Sequence, residues 1–565
     1  MNDDQSAASR EEALLDEALT AGPLGKAAIY TRLSGPGWLQ GAITLGGGSL
    51  AGSLYLGVLL GTEMMWLQPL AMILGVIMLS AISYVTLSTG ERPFQTIKTQ
   101  ISPVLAWGWL IATMMANIVW CLPQFALGTG AVQQNLVPAL NTSFGKYLIA
   151  IGLLVIASVV VWFYNSGSKG IRIFELILKC MVGIVVLSFF GVVIALTMQG
   201  SVNWSEIVGG LVPDLSYLFK PASALSEQIA NTGEYRDWWT DKVAGTQKSK
   251  IIAAFATAVG INMTFLLPYS MLRKGWGIKQ RGLAIFDLSI GLIVPFVLAT
   301  GCVVIAAASQ FHGSVNDVRS EVDFGDPGSS EVKAFYEYVD DRLLAEDESL
   351  DLKKLKKVDP EQLEVLRASL PEADKNIAAM LVERDNQKLA GTLEPLVGSF
   401  LAQKVFGIGV LGMAISTIII LMLINGFAFC ELLNVPAEGT MHRVGSFIPA
   451  VGVLGPFVWK AAAPALAVPT SVIGGAMLPI AYVSFLLLMN SRSVLGDAMP
   501  RGSRRIVWNT LMVFGTGVAS FGSAWGLYGR TWGKFPIGTT ALAALAIMLA
   551  VGIYSFLVKQ KQATS

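Results

Sequence analysis

Charge is what this 565-residue chain has least of: Asp, Glu, Lys and Arg make up 14% of it, against 53% hydrophobic residues. Soluble domains carry about a quarter charged residues. With a mean hydropathy of +0.59, the composition excludes a soluble globular protein and predicts a polytopic membrane protein whose surroundings are the lipid bilayer. The formal net charge of +1 offers no basic face, so nucleic acid is not an expected partner. Histidine is almost missing; His312 and His442 are the only two, too few for a histidine-built metal centre. Cys121, Cys180, Cys302 and Cys430 fall in apolar runs without C-x-x-C spacing, and read as small buried hydrophobes, not as a disulfide framework or zinc cluster. Within the apolar runs there is no nucleophile–base pair and no carboxylate pair, so an enzyme is not expected, nor is a cofactor.

What the chain has in quantity is long apolar runs. They fall near residues 37–60, 64–88, 104–135, 144–164, 171–198, 252–271, 282–309, 396–427, 444–465, 467–490, 507–528 and 537–558. Each approaches the roughly 20 residues that cross a bilayer, which predicts about twelve transmembrane helices in an all-α fold. The polar residues 1–24, within an N-terminal segment 1–34, lack the basic start and short apolar core of a cleaved signal peptide, so the first span is the expected insertion signal. Basic residues gather in alternate short connections, at Arg92 and Lys98, Lys169 and Arg172, Arg273 to Arg281, and Arg492 to Arg505, and after the last span at Lys559 and Lys561. By the positive-inside rule both termini, including the tail 559–565, are cytoplasmic, in a cell (inner) membrane protein. Spans 1–7 then occupy 35–309 and spans 8–12 occupy 395–558. Between them, 310–394 holds about half of all the acidic residues. Its mixed charge with Leu and Val at helical spacing predicts an extracytoplasmic helical insertion, solvated and offering a surface to a partner.

The first span is interrupted. Gly46, Gly47, Gly48 and Ser49 stand at its centre, and consecutive glycines disfavour a helix more than anything but proline. Backbone freed at that depth must face protein or a water-filled cavity. Five spans later, Pro268 predicts a second break near residues 267–270. Paired interrupted helices opening two halves of a chain are the pattern of a secondary transporter built as an inverted 5+5 repeat, with its site between the first and sixth helices. The expected substrate-binding residues are therefore Gly46, Gly47, Gly48, Ser49, Gln124, Leu267, Pro268, Tyr269 and Ser270.

Six stretches resemble the NRAMP (natural resistance-associated macrophage protein) divalent metal transporters, which have the leucine-transporter type fold. G-P-G-W-L-Q-G at Gly35 is similar to that family's opening G-P-G-F-L, and L-L-P-Y-S at Leu266 to its V-M-P-H-N. L-A-I-F-D-L-S-I-G at Leu283 resembles the start of its seventh helix, and E-P-L-V-G-S-F-L-A-Q-K-V-F-G at Glu394 the entry to its eighth. R-V-G-S-F-I-P-A at Arg443 and L-L-L-M-N-S-R-S-V-L-G at Leu486 resemble its ninth and tenth. The resemblance implies an NRAMP-related secondary transporter of a divalent metal ion. It also places the family's ligand Asp, Asn and Met on Gly46, Ser49 and Leu267, and its proton-path Asp and Glu on Leu122 and Phe125. The tenth-helix glutamine falls on Met477. On that alignment no carboxylate and no thioether stands at the break. Pro268, Asp287, Arg443 and the Glu175/Lys179 pair are retained, with structural or gating roles.

Three readings follow for the small ion or small molecule that the site takes. A metal ion passes partly hydrated, since Mg²⁺ commonly keeps several waters. Alternatively, amides at a half-helix N-terminus bind an organic solute or anion, with Thr44, Asn262 and the hydroxyls nearby adding hydrogen bonds. Outside transport, the chain is a membrane sensor or scaffold. A coupling sodium ion has candidate oxygen ligands in Ser416 and Thr417.

Overall fold

The computed structural model describes residues 2–164, 167–257, 259–384, 386–458, 477–531 and 535–564. The predicted span at 467–490 therefore lies in part outside the described residues, as does the end of that at 444–465. Among the described residues eight helices are long and apolar enough to cross a membrane, and ten if two sharply bent pairs each count as one span. The protein is an all-α, multi-pass integral membrane protein, with fewer spans visible than the twelve expected.

Two short helices, α1 (Asn2–Thr20) and α2 (Pro23–Leu33), precede the bundle. The first span is two pieces, α3 (Pro36–Thr44) and α4 (Gly47–Leu60), bent by 55° at Leu45 and Gly46. Pro36 opens α3, where its missing amide costs nothing. Next come α5 (Leu67–Thr89), α6 (Pro103–Leu136), α7 (Ser143–Tyr164) and α8 (Gly167–Met198). Ser102 caps α6, its hydroxyl accepting from the Val104 amide at 3.2 Å. The sixth span is also in two pieces, α9 (Arg236–Thr257) and α10 (Ile261–Arg273), followed by α11 (Ile278–Phe311).

The second break is real but misplaced by the sequence reading. Residues 261–273 form one helix with Pro268 inside it, and the non-helical positions are Val259 and Gly260 instead. A β-carbon at Gly260 would lie 3.0 Å from the Trp120 ring and 2.6 Å from Asn262 Oδ1, so the backbone there runs close beneath α6. Pro268 loses one helix hydrogen bond, but it is buried among Phe265, Leu266 and Tyr269, and that packing holds the helix together around it.

Between α11 and the next span, 310–394 folds into a cap whose longer helices are α12 (Ser330–Glu346), α13 (Glu372–Leu381) and α14 (Asn386–Val397). Val332, Phe335, Val339 and Leu343 on α12 and Ile377 and Leu381 on α13 are buried, so the helical spacing of apolar residues did encode a small core. Charges are buried too. Arg384 donates to Asp317 at 2.9 and 3.0 Å and to the carbonyls of Ala379 and Val382. Asp374 accepts from the Trp239 indole of α9, which ties the cap to the bundle.

The centre of the molecule is α15 (Phe400–Leu432). From Ile418 to Ile424 its side chains are completely buried, because α3, α6, α8 and the following helix α16 (Gly439–Phe447) all pack against it. Beyond α17 (Leu478–Met489), α18 (Ser503–Leu527) and α19 (Ile537–Thr564) stand at the edge of the bundle, with Phe514, Ile547 and Tyr554 exposed for lipid.

Candidate functional site

A cavity of about 630 Å³ opens at the break between α3 and α4. Gly46, Gly47, Gly48 and Ser49 form one wall, α6 supplies Trp120, Gln124 and Gln134, and Gly260, Asn262 and Met263 come from the second break. It extends to Asn135 and to Gln387 of α14, and so opens towards the face that bears the cap. Among the described residues, none that lines it is charged.

Each piece of the break is held by a side chain. The Gly47 amide, first of α4, donates to Gln124 Oε1 at 3.0 Å. The Ser49 hydroxyl donates back across the bend to the Thr44 carbonyl. Thr44 Oγ1 donates to the Gln40 carbonyl at 2.8 Å and lies 3.3 Å from the Met263 sulfur. Asn262 Nδ2 reaches Asn117 Oδ1 at 3.3 Å, deep in the bundle. Of the residues expected from sequence, Gly46, Gly47, Gly48, Ser49 and Gln124 therefore meet at the cavity.

Leu267, Pro268, Tyr269 and Ser270 do not line it; all four are buried in α10. Tyr269 belongs to an aromatic layer beneath the cavity. Its ring stacks on Phe265 at 4.5 Å and on Phe427 at 5.7 Å, while Trp109 packs on Phe265 at 4.6 Å. Their displacement follows from the position of the second break, at Gly260, nine residues before Tyr269. Met263 is the residue that sequence reasoning missed. It puts a thioether at the site that the motif alignment had denied, and the signal for it was Gly260, three residues ahead.

Below the aromatic layer the face opposite the cap is closed by polar fastenings on α3. Asp287 of α11 accepts from the Gly35 and Gly37 amides at 3.1 and 2.7 Å, a carboxylate on the positive end of the half-helix. Lys274 bridges to Glu175 at 2.9 Å, and Lys179 donates to the Ser34 carbonyl at 2.7 Å. Glu431, fully buried, pairs with Arg92 at 3.2 Å and accepts from Gln95 at 2.9 Å. Arg443 is elsewhere, 4.0 Å from the Trp162 ring centre. The glycines of G-P-G-W-L-Q-G now have reasons. A β-carbon at Gly37 would lie 2.2 Å from the Asp287 carbonyl oxygen, and one at Gly41 2.3 Å from that of Gly291. Both contacts are backbone and cannot swing aside. Gly37→Ala is thus expected to cost about 1–3 kcal/mol of stability, read as a lowered melting temperature in detergent; a melting curve equal to wild type would refute that docking.

Two broken helices crossing at a cavity beside a central eighth-span helix invite comparison with known transporters. The family model described as natural resistance-associated macrophage protein-like matches residues 37–325 and 375–521. The chain belongs to this family. The unmatched stretch, 326–374, falls inside the cap. No curated protein matches the chain. Among solved structures, it is similar to that of an Eremococcus coleocola manganese transporter in complex with an aromatic bis-isothiourea substituted compound, with 12% identity, a TM-score of 0.61, and 93% and 94% of the two chains covered. Variants of that transporter with a histidine changed to alanine and a glutamate to glutamine match at TM-scores of 0.51 and 0.52, again at 12% identity, covering 94% of this chain and 96% of theirs. At this identity the likeness establishes the leucine-transporter type fold.

Proposed function

We propose that the protein is a secondary transporter that carries a divalent metal ion with part of its hydration shell retained. Family membership gives the substrate class, and the manganese transporter named above is a structural relative. The observation that carries the hydrated form is the cavity itself: about 630 Å³, lined among the described residues without a charge, with amide oxygens, hydroxyls and the Met263 thioether as its side-chain donors. A bare dication there would keep two uncompensated charges, at several kcal/mol or more; a hydrated one spreads its charge over its own waters. Access alternates between the open cap-bearing face and the opposite face, where undocking of α3 from Asp287, Glu175 and Lys179 opens the exit. With both termini cytoplasmic, as the loop charges indicate, the present state faces outward.

Gly48→Asp tests this. A β-carbon at Gly48 meets nothing within 4 Å, so a carboxylate fits into the cavity without strain. The variant is expected to bind Mn²⁺ at least about tenfold more tightly than wild type in calorimetry, or about 1.4 kcal/mol. Unchanged affinity, with wild-type proteoliposomes also inert to Mn²⁺, Mg²⁺ and Ca²⁺, sinks the metal reading. A second reading has its own observation. The same walls include Trp120, Leu127, Val410 and Leu421 beside the N-terminus of α4, which suits an organic solute bearing a carboxylate. In that case Gly48→Asp abolishes uptake of the solute.

A further inference from the structure

Basic residues gather where α17, α18 and α19 meet, on the face opposite the cap. The Tyr84 hydroxyl near the end of α5 donates to the Ala498 carbonyl at 2.6 Å, and Arg281 near the start of α11 donates to Ser88 at 3.2 Å. The cap follows the other end of α11, so the connection 490–505 lies far from it. Asn490, just past α17, is the hub. Its Oδ1 accepts from Arg505 at 3.2 Å and from Asn509 at 3.0 Å, both on α18, and its carbonyl accepts from Gln560 of α19 at 3.3 Å. Beside Gln560, Lys559 donates to the Thr99 carbonyl at 2.6 Å, one residue from Lys98. Arg492, Arg504 and Lys561, each within two residues of a member of this network, are exposed. Between 490 and 505 and beyond 555 the one acidic residue in the sequence is Asp497. It bridges to Arg501 at 2.8 Å in full contact with solvent, where such a pair is worth little. Apolar surface adjoins the charge: Ile506 and Val507 follow Arg505, Tyr554 and Leu557 precede Lys559, and each is more than half exposed.

We propose that this corner holds the headgroup of an anionic phospholipid. The phosphate lies against Arg492, Arg504 and Arg505, and the acyl chains run along the exposed sides of α18 and α19. The juxtaposition of the two surfaces selects the partner. A soluble phosphate would use the cations and leave the apolar strip in water; a neutral lipid would use the strip and leave the cations without a counter-charge. Basic clusters beside transmembrane helices attract anionic headgroups, at about fivefold in affinity for each Lys or Arg, and the guanidinium fork suits paired phosphate oxygens. Charges that serve only to orient a chain need no fixed mutual placement. Here hydrogen bonds through Asn490 hold those of three helices at one point. A bound headgroup therefore braces together the ends of α17, α18 and α19 at the edge of the bundle.

The test is native mass spectrometry of the purified full-length protein, released from detergent micelles that contain phosphatidylglycerol or phosphatidylcholine. Wild type is expected to retain phosphatidylglycerol at a concentration at least about tenfold below that needed for phosphatidylcholine. Arg492→Gln with Arg504→Gln is expected to lower that preference about tenfold or more. Both side chains are exposed, so the melting curve without added lipid stays that of wild type. Arg492→Lys with Arg504→Lys keeps the charges and is expected to keep the preference. Equal retention of the two lipids by wild type overturns the site, and so does an undiminished preference in the glutamine variant. Displacement of phosphatidylglycerol by inorganic phosphate overturns it too, since the corner then recognises a free anion. No transported solute enters this assay, so its failure leaves the proposed substrate untouched.

Discussion

Lys274→Met is expected to destabilise the protein by about 3 kcal/mol and to speed hydrogen exchange of the α3 amides. Lys274 and Glu175 are only 14% and 12% exposed in their side chains. Removing one partner of a buried pair strands the other charge, and that is what costs about 3–5 kcal/mol. The lower end applies because each keeps some contact with water. Both groups also press on the start of α3, since a β-carbon at Gly35 would lie within 2.5 Å of Glu175 Oε1. A stranded Glu175 draws solvent into that junction, and α3 undocks more often. Adding Glu175→Gln to the first change removes the stranded charge and recovers most of the loss. Exchange in α3 as slow as in wild type would show that the pair does not fasten it.

Arg384→Met is expected to unfold the cap while leaving the bundle standing. The Arg384 side chain is completely buried and serves Asp317 together with three backbone carbonyls within 3.1–3.3 Å or closer. No aliphatic side chain satisfies those groups, and the loss is about 3–5 kcal/mol. Limited proteolysis reads the outcome: rapid cleavage within 310–394 against a persisting membrane core. Uniform resistance would mean that the cap draws its stability from the bundle through Trp239 and Asp374.

The first break was legible because three glycines leave no competing signal. The second was not, because Pro268 is the louder residue while the cause lies in packing: Trp120, 140 positions away, needs the bare backbone of Gly260. Met263 was lost with it. Distance in sequence also hid the work of Asp287, whose carboxylate caps a helix start 250 residues earlier; its type and burial were readable, its partner was not. The cap showed its helical periodicity plainly. Its buried Arg384 and Arg342 could not be told from the surface charges around them, because a charged residue looks the same in sequence whether paired or solvated.

The fastenings on α3 and α4 are unequal. On the far face α3 is held by Asp287, by Lys179, and by the Lys274–Glu175 pair across its start, with Glu431 and Arg92 sealing below. On the near face α4 meets the cap through the Tyr55 hydroxyl, which donates to the Leu381 carbonyl at 2.7 Å, and through the Val58 carbonyl, 3.0 Å from His312 Nδ1. Unequal closure sets unequal resting populations. If the reverse conformer is present at about 1%, a ligand presented from that side binds about a hundredfold more weakly than its intrinsic affinity. The two faces would thus differ in apparent affinity while sharing one site, and the net direction of movement would still be set by the gradients across the membrane.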